Sequence, residues 1–127
     1  MIAGIGIDVT DIRRVVAAVE RNEHFTKRIL TDDEMTQLAQ LSDKRRFEYI
    51  SGRFSAKEAY SKAYGSGLGS QVRFHDLCIV NNENGKPYFS KQPFDGNAFV
   101  SISHTDDIVV TQVILENRGE VMTVGNL

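Results

Sequence analysis

The stretch from Ser42 to Gly65 constrains this chain most. Ser42 is a cap residue and Gly65 tolerates the left-handed backbone that commonly ends a helix, so the spacing predicts one long helix over Asp43 to Tyr64. Phe47, Ile50 and Phe54 form a stripe that continues, at steps of three or four, into Glu58 and then Ser61 or Lys62. The opposite side carries Tyr49, Gly52, Ala56, Ala59, Tyr60 and Ala63, all suited to close packing. Both sides are therefore expected to be covered. A carboxylate at position 58 then needs a counter-charge, a proton or a bound cation. Lys62, one turn on, supplies the structural answer, a Glu-to-Lys pair at i,i+4.

Around this helix the rest of the chain reads as an α+β arrangement. Met1 to Val9 is a predicted strand, with Ile5, Ile7 and Val9 alternating against Gly4, Gly6 and Asp8. The glycines leave room on Asp8's face for something to approach the backbone, and the carboxylate is a candidate ligand. The plainer reading makes Asp8, Thr10 or Asp11 the cap of a helix over about Asp11 to Arg21. Thr31-Asp32-Asp33-Glu34 fits a capping box ahead of Met35, Leu38 and Leu41. Strands are predicted at Asp76 to Asn81, Lys86 to Ser90, Phe99 to Ser103 and Ile108 to Glu116, with Asn84-Gly85 as a hairpin turn. The glycine-rich run Gly65 to Ser70 follows a helix and does not open one, so it meets no phosphate-loop pattern. The expected fold is one domain over residues 1–127: an N-terminal strand and helices, including the long central helix, then a mainly antiparallel sheet that the first strand joins. The tail after about residue 117 has little pattern and is expected to be loosely ordered.

At 127 residues there is material for one core and too little for two ordinary domains. A net charge of −2 argues against a general nucleic-acid binder. No apolar stretch approaches the roughly 20 residues that cross a bilayer, and residues 1–9 lack the features of a secretion signal. Cys78, the one cysteine, lies in the apolar run Leu77 to Val80, which fits a buried strand residue and a reducing cytoplasm. Charge is uneven along the chain. Residues 1–64 hold 11 Lys/Arg against 10 Asp/Glu, whereas 65–127 hold 4 against 7. The early basic residues, Arg13, Arg14, Arg21, Lys27, Arg28, Lys44, Arg45 and Arg46, are either a face for an acidic partner or phosphate, or simply solvated.

Three segments in order, Gly6-Ile7-Asp8-Val9, Phe54-Ser55-Ala56-Lys57-Glu58-Ala59-Tyr60-Ser61-Lys62-Ala63 and Ser101-Ile102-Ser103-His104, resemble the holo-(acyl-carrier-protein) synthases, the small single-domain branch of the 4'-phosphopantetheinyl transferases. The resemblance runs from Met1 to about Glu116. Ser55 departs from the alanine of the family's helix motif, a change expected to bear on helix packing and not on the chemistry.

The resemblance implies transfer of 4'-phosphopantetheine from coenzyme A to a serine of an apo acyl carrier protein, in support of fatty acid biosynthesis. It implies Asp8 and Glu58 as ligands of Mg²⁺, which usually takes one or two carboxylates, with waters and phosphate oxygens completing an octahedron. Lys62 is implied on the phosphates, and Glu58, or a water it orients, is the candidate base. Asp8 is the less favoured base. His104, Thr105, Arg53 and Gly65 are implied around coenzyme A, the first three towards its 3'-phosphate or ribose. The acidic carrier gives the basic cluster a purpose: Arg14 first, then Arg13, Arg21, Lys44 and Arg45. A homotrimer with sites between subunits is also implied. The competing expectations are a magnesium phosphohydrolase built on Asp8, Glu58 and Lys62, and a noncatalytic oligomeric binding module.

Overall fold

The computed structural model describes residues 1–65, 68–69 and 71–119. Strand β1 (Ile2–Asp11) leads into helix α1 (Ile12–Arg21), followed by short helices α2 (Phe25–Ile29) and α3 (Asp32–Leu38) and the long helix α4 (Asp43–Tyr64). A 3₁₀ turn at Phe74–Asp76 precedes β2 (Cys78–Asn81), β3 (Pro87–Lys91), β4 (Gly96–His104) and β5 (Ile108–Asn117). The strands form two antiparallel sheets instead of the one expected: β1-β5-β4, and a separate β2-β3 hairpin. The hairpin turns at Gly85, whose φ of 80° suits glycine.

The caps behave largely as the sequence indicates. Asp11 accepts from the Arg13 amide at the start of α1, and Thr31 with Glu34 makes a complete capping box on α3. Gly65 ends α4 at φ 90°, whereas Ser42 starts it without a side-chain cap bond. β1 runs two residues beyond Val9, so Asp8 and Thr10 are strand residues and Asp11 alone is the cap.

Helix α4 lies across the inner face of the three-stranded sheet and is buried almost continuously from Tyr49 to Ser61. Its small residues allow this. A Cβ on Gly4 would collide with the carbonyl of Ala63, and one on Gly6 with that of Ala59. The glycine face of β1 is therefore filled by the backbone of α4; it is not the open approach to a ligand expected from sequence.

Two apolar clusters flank the helix. Val15, Ile29, Leu30, Leu38, Tyr49 and Ile50 make one; Ala59, Tyr60, Val72, Leu77, Val113 and Leu115 make the other. Each fully buried large side chain contributes about 1.5–3 kcal/mol of transfer free energy. Between α3, α4 and β2 sits a fully buried ion pair, with Lys57 Nζ 2.7 Å from Glu34 Oε1. Cys78 is buried on β2 as expected. Among the described residues, no helix is long and apolar enough to cross a membrane. The central part of the glycine-rich run, residues 66, 67 and 70, and the tail from residue 120 lie outside the described residues.

Candidate active site

Period-two alternation on β1 turns Asp8 inward, towards α4 and opposite Thr111 of β5. Its carboxylate is held from three sides. Oδ2 accepts from Thr10 Oγ1 at 2.7 Å and from Ser55 Oγ at 2.8 Å, and Oδ1 lies 3.2 Å from Lys62 Nζ. Ser55 is fully buried and also lies 2.8 Å from Thr111 Oγ1. Because the Ser55 proton is committed to Asp8, Thr111 is the donor in that second bond, which gives a chain Thr111 to Ser55 to Asp8.

Glu58 lines the same cavity, of about 590 Å³, together with Asp8, Thr10, Arg14, Phe25 and Phe54. It is one turn beyond Phe54 on α4, so the carboxylate that interrupts the apolar stripe faces this cavity. Lys62 does not pair with it: among the described residues its ammonium reaches Ile7 O at 3.0 Å and Asp8. The i,i+4 pair expected as the structural answer is absent. Burial, and secondarily the charge of Asp8, raise the Glu58 pKa above the usual carboxylate range, with Lys62 opposing.

Two carboxylates on one cavity, one of them with no ion pair among the described residues, fit a hard divalent cation that completes its shell with water and phosphate oxygens. No cluster of three or more His, Cys, Asp or Glu side chains suited to a metal occurs among the described residues.

Arg53 and His104 sit elsewhere. With Arg45, Glu48, Tyr49, Asn81, Gly85 and Ile102 they line a second cavity of about 340 Å³, bounded by the N-terminal half of α4 and the β2-β3 hairpin. Arg53 stacks on Tyr49 with its guanidinium carbon 3.8 Å from the ring centroid. It also donates to Ile79 O and to Asn81 Oδ1, both at 2.9 Å. Much of its donor capacity therefore anchors the hairpin. His104 Nδ1 lies 3.1 Å from Glu48 Oε2. Thr105 is a turn residue, its Oγ1 accepting from the amides of Asp107 and Ile108, and it does not line the cavity. Gly65 ends α4 and lines neither cavity.

The basic residues divide as well. Arg14 borders the carboxylate cavity, and Arg21 ends the same helix. Arg13 leans on Asp11 and Lys44 on Asp106, while Arg45 joins Arg53 and His104.

Residues 4–114 match the 4'-phosphopantetheinyl transferase superfamily. The chain belongs to this family. It is 56% identical over 119 residues to the holo-[acyl-carrier-protein] synthase of Lacticaseibacillus casei, covering 94% of this chain and 95% of that one. Its identity to the namesake of Anoxybacillus flavithermus is 52% over 116 residues, covering 91% and 97%. Among solved structures it is similar to the holo-(acyl-carrier-protein) synthase of Bacillus anthracis in complex with coenzyme A (3',5'-ADP), with a TM-score of 0.86 and 40% identity over 93% of this chain and 99% of that one. It is also similar to the Neisseria meningitidis enzyme, with a TM-score of 0.84 and 31% identity over 92% and 100%.

Against the family's pattern Ser55 takes on a different weight. Its hydroxyl is bonded to Asp8, so the departure touches the carboxylate site directly, contrary to the expectation from sequence. Thr10 and Thr111 were equally missed. Thr10 was discoverable as the next inward residue after Asp8; Thr111 needed the β1-β5 register. A Ser55→Ala variant should fold, because alanine fits the same space, and should lose about 1–2 kcal/mol of stability through the lost bond and the stranded Thr111 hydroxyl. Urea titration of both proteins checks this; equal midpoints would mean that the hydroxyl chain contributes nothing.

Proposed function

We propose that this protein transfers 4'-phosphopantetheine from coenzyme A to a serine of an apo acyl carrier protein, releasing adenosine 3',5'-bisphosphate. The observation that carries the reading is the convergence of Asp8, Glu58 and Arg14 on one cavity, with Lys62 on Asp8, in a chain of this family. Asp8 and Glu58 would hold Mg²⁺, which when bound neutralises phosphate charge. Lys62, adjacent to Asp8, offsets charge on the pyrophosphate as the serine oxygen bonds to the β-phosphorus and the bond to the departing bisphosphate oxygen breaks. Glu58, on the same cavity as Asp8, or a water that it orients, takes the serine proton. Arg14 stands at the edge of this cavity, placed to meet an acidic carrier as its serine enters. Arg45, Arg53 and His104 supply positive or donor groups for the 3'-phosphate end.

A homotrimer with shared sites belongs to the same reading. The outer face of the three-stranded sheet leaves Ile5 and Ile7 each 56% exposed, Val9 62% and Phe99 53%. Such a contiguous apolar face favours burial against another copy of the chain. The placement of the phosphate-binding groups and the carboxylates in separate cavities of one chain also favours sites completed between subunits. Ile7→Asp, at the middle of this face, is expected to reduce the mass in solution from trimer to monomer by light scattering; an unchanged mass would remove the sheet face from the interface. We place the protein in the cytoplasm, where both coenzyme A and carrier are available.

The hydrolase reading makes a different prediction. Release of adenosine 3',5'-bisphosphate from coenzyme A should require an apo carrier with an intact acceptor serine. Equal release with the carrier omitted would favour hydrolysis.

A further inference from the structure

A carboxylate lining a cavity that also holds two arginines and a histidine calls for an explanation, because it would repel the phosphate that those groups suit. Glu48 is that carboxylate: it lines the second cavity with Arg45, Arg53 and His104. Its side chain is 19% exposed and reaches the 44% exposed His104 at 3.1 Å, Oε2 to Nδ1. One turn earlier on α4, Lys44 reaches Asp106 at 3.2 Å. Residues 44 and 48 thus project from consecutive turns of the helix onto the β4–β5 turn and the end of β4, and the turn is further closed by Thr105 Oγ1 accepting the Asp107 and Ile108 amides.

The consequence for His104 is directional. Nδ1 faces Glu48 and the Thr105 carbonyl, at 3.1 and 3.2 Å, which leaves Nε2 as the ring nitrogen with no partner among the described residues. Glu48 and the Thr105 carbonyl are both acceptors, so Nδ1 carries a proton, and Nε2 then points in a defined direction and donates to a phosphate in the imidazolium form, as carboxylate–histidine pairs allow elsewhere. We infer that Glu48 is a positioning residue that fixes His104 for the 3'-phosphate of coenzyme A, and so helps to set the preference for coenzyme A over its 3'-dephospho form. This rests on the reading above that His104 meets that phosphate.

The sign of the effect separates this role from its alternatives. If Glu48 only repelled anions, removing it would tighten coenzyme A; if it orients His104, removing it loosens coenzyme A. Calorimetry with coenzyme A and with 3'-dephospho-coenzyme A on the wild type, Glu48→Ala, Glu48→Gln, His104→Ala and the double alanine variant reads this without relying on turnover. Glu48→Ala is expected to weaken coenzyme A about tenfold and leave the dephospho form unchanged. Glu48→Gln, which keeps an acceptor oxygen, should lose about threefold. The double variant should be no worse than His104→Ala. Tighter or unchanged binding of coenzyme A by Glu48→Ala overturns the inference, as does an equal loss for both ligands, the mark of a merely structural role. If His104→Ala discriminates between the ligands as well as wild type does, the assignment of His104 fails and the inference falls with it. If His104→Ala loses discrimination and Glu48→Ala does not, only the role of Glu48 is removed.

Discussion

Glu58→Gln is expected to lower the rate of transfer by about 10²–10⁴-fold, the range for loss of a positioned general base. The substitution preserves size, so the packing of α4 through Phe54 and its neighbours should persist. What it removes is the negative charge and the basic oxygen. Glu58 is placed for the role on the same cavity as Asp8, and Lys62 is engaged with Asp8 and so does not tie it up. Single-turnover assays at saturating coenzyme A and carrier would read the loss in the chemical step. Full turnover by a variant that binds Mg²⁺ normally would rule out Glu58 as the base and leave it at most a ligand.

Lys57→Ala should produce the largest loss of stability, about 3–5 kcal/mol. Lys57 precedes Glu58 in the chain but points the other way, into the interior, where Nζ donates to Ile29 O and to Glu34 Oε1, both at 2.7 Å. Glu34 in turn accepts from the amides of Thr31 and Ile79, through Oε1 and Oε2. The pair therefore joins α2, α3, α4 and β2. Burial lowers the pKa of Lys57 while Glu34 opposes that shift, so the environment tolerates the cation only because the carboxylate is there. Alanine would leave Glu34 buried and negative with two amides but no counter-ion, besides opening a cavity. Urea unfolding followed by circular dichroism, at matched protein concentration because assembly contributes to stability, measures the difference. A loss below about 1 kcal/mol would mean that the pair is nearly neutral in net effect.

The fate of Lys57 illustrates what the sequence made legible. The length of α4, its Gly65 stop, the Thr31–Glu34 capping box and the hairpin at Asn84-Gly85 are local signals, and each is present. The inward glutamate on α4 was legible as an interruption of a stripe. Its neighbours were not, because they come from distant segments: Ser55 meets Thr111 only through the packing of α4 on β5, and Lys57 meets Glu34 only through the docking of α3. The same limit explains the glycines of β1. An alternating Gly–x–Gly says that a backbone approaches closely, not which one, and here it is that of α4. The basic cluster dispersed for a related reason. Lys44 and Arg45 adjoin in sequence, but one turns to the β4–β5 turn and the other to the Arg53 cavity, away from Arg14.

The central claim is the transfer itself, and intact mass spectrometry of an apo acyl carrier protein tests it most directly. Incubated with this protein, coenzyme A and Mg²⁺, the carrier should gain one phosphopantetheine, and the gain should vanish with Asp8→Ala or when the acceptor serine is replaced by alanine. An unchanged carrier mass with the wild-type protein, across several carriers, would contradict the account.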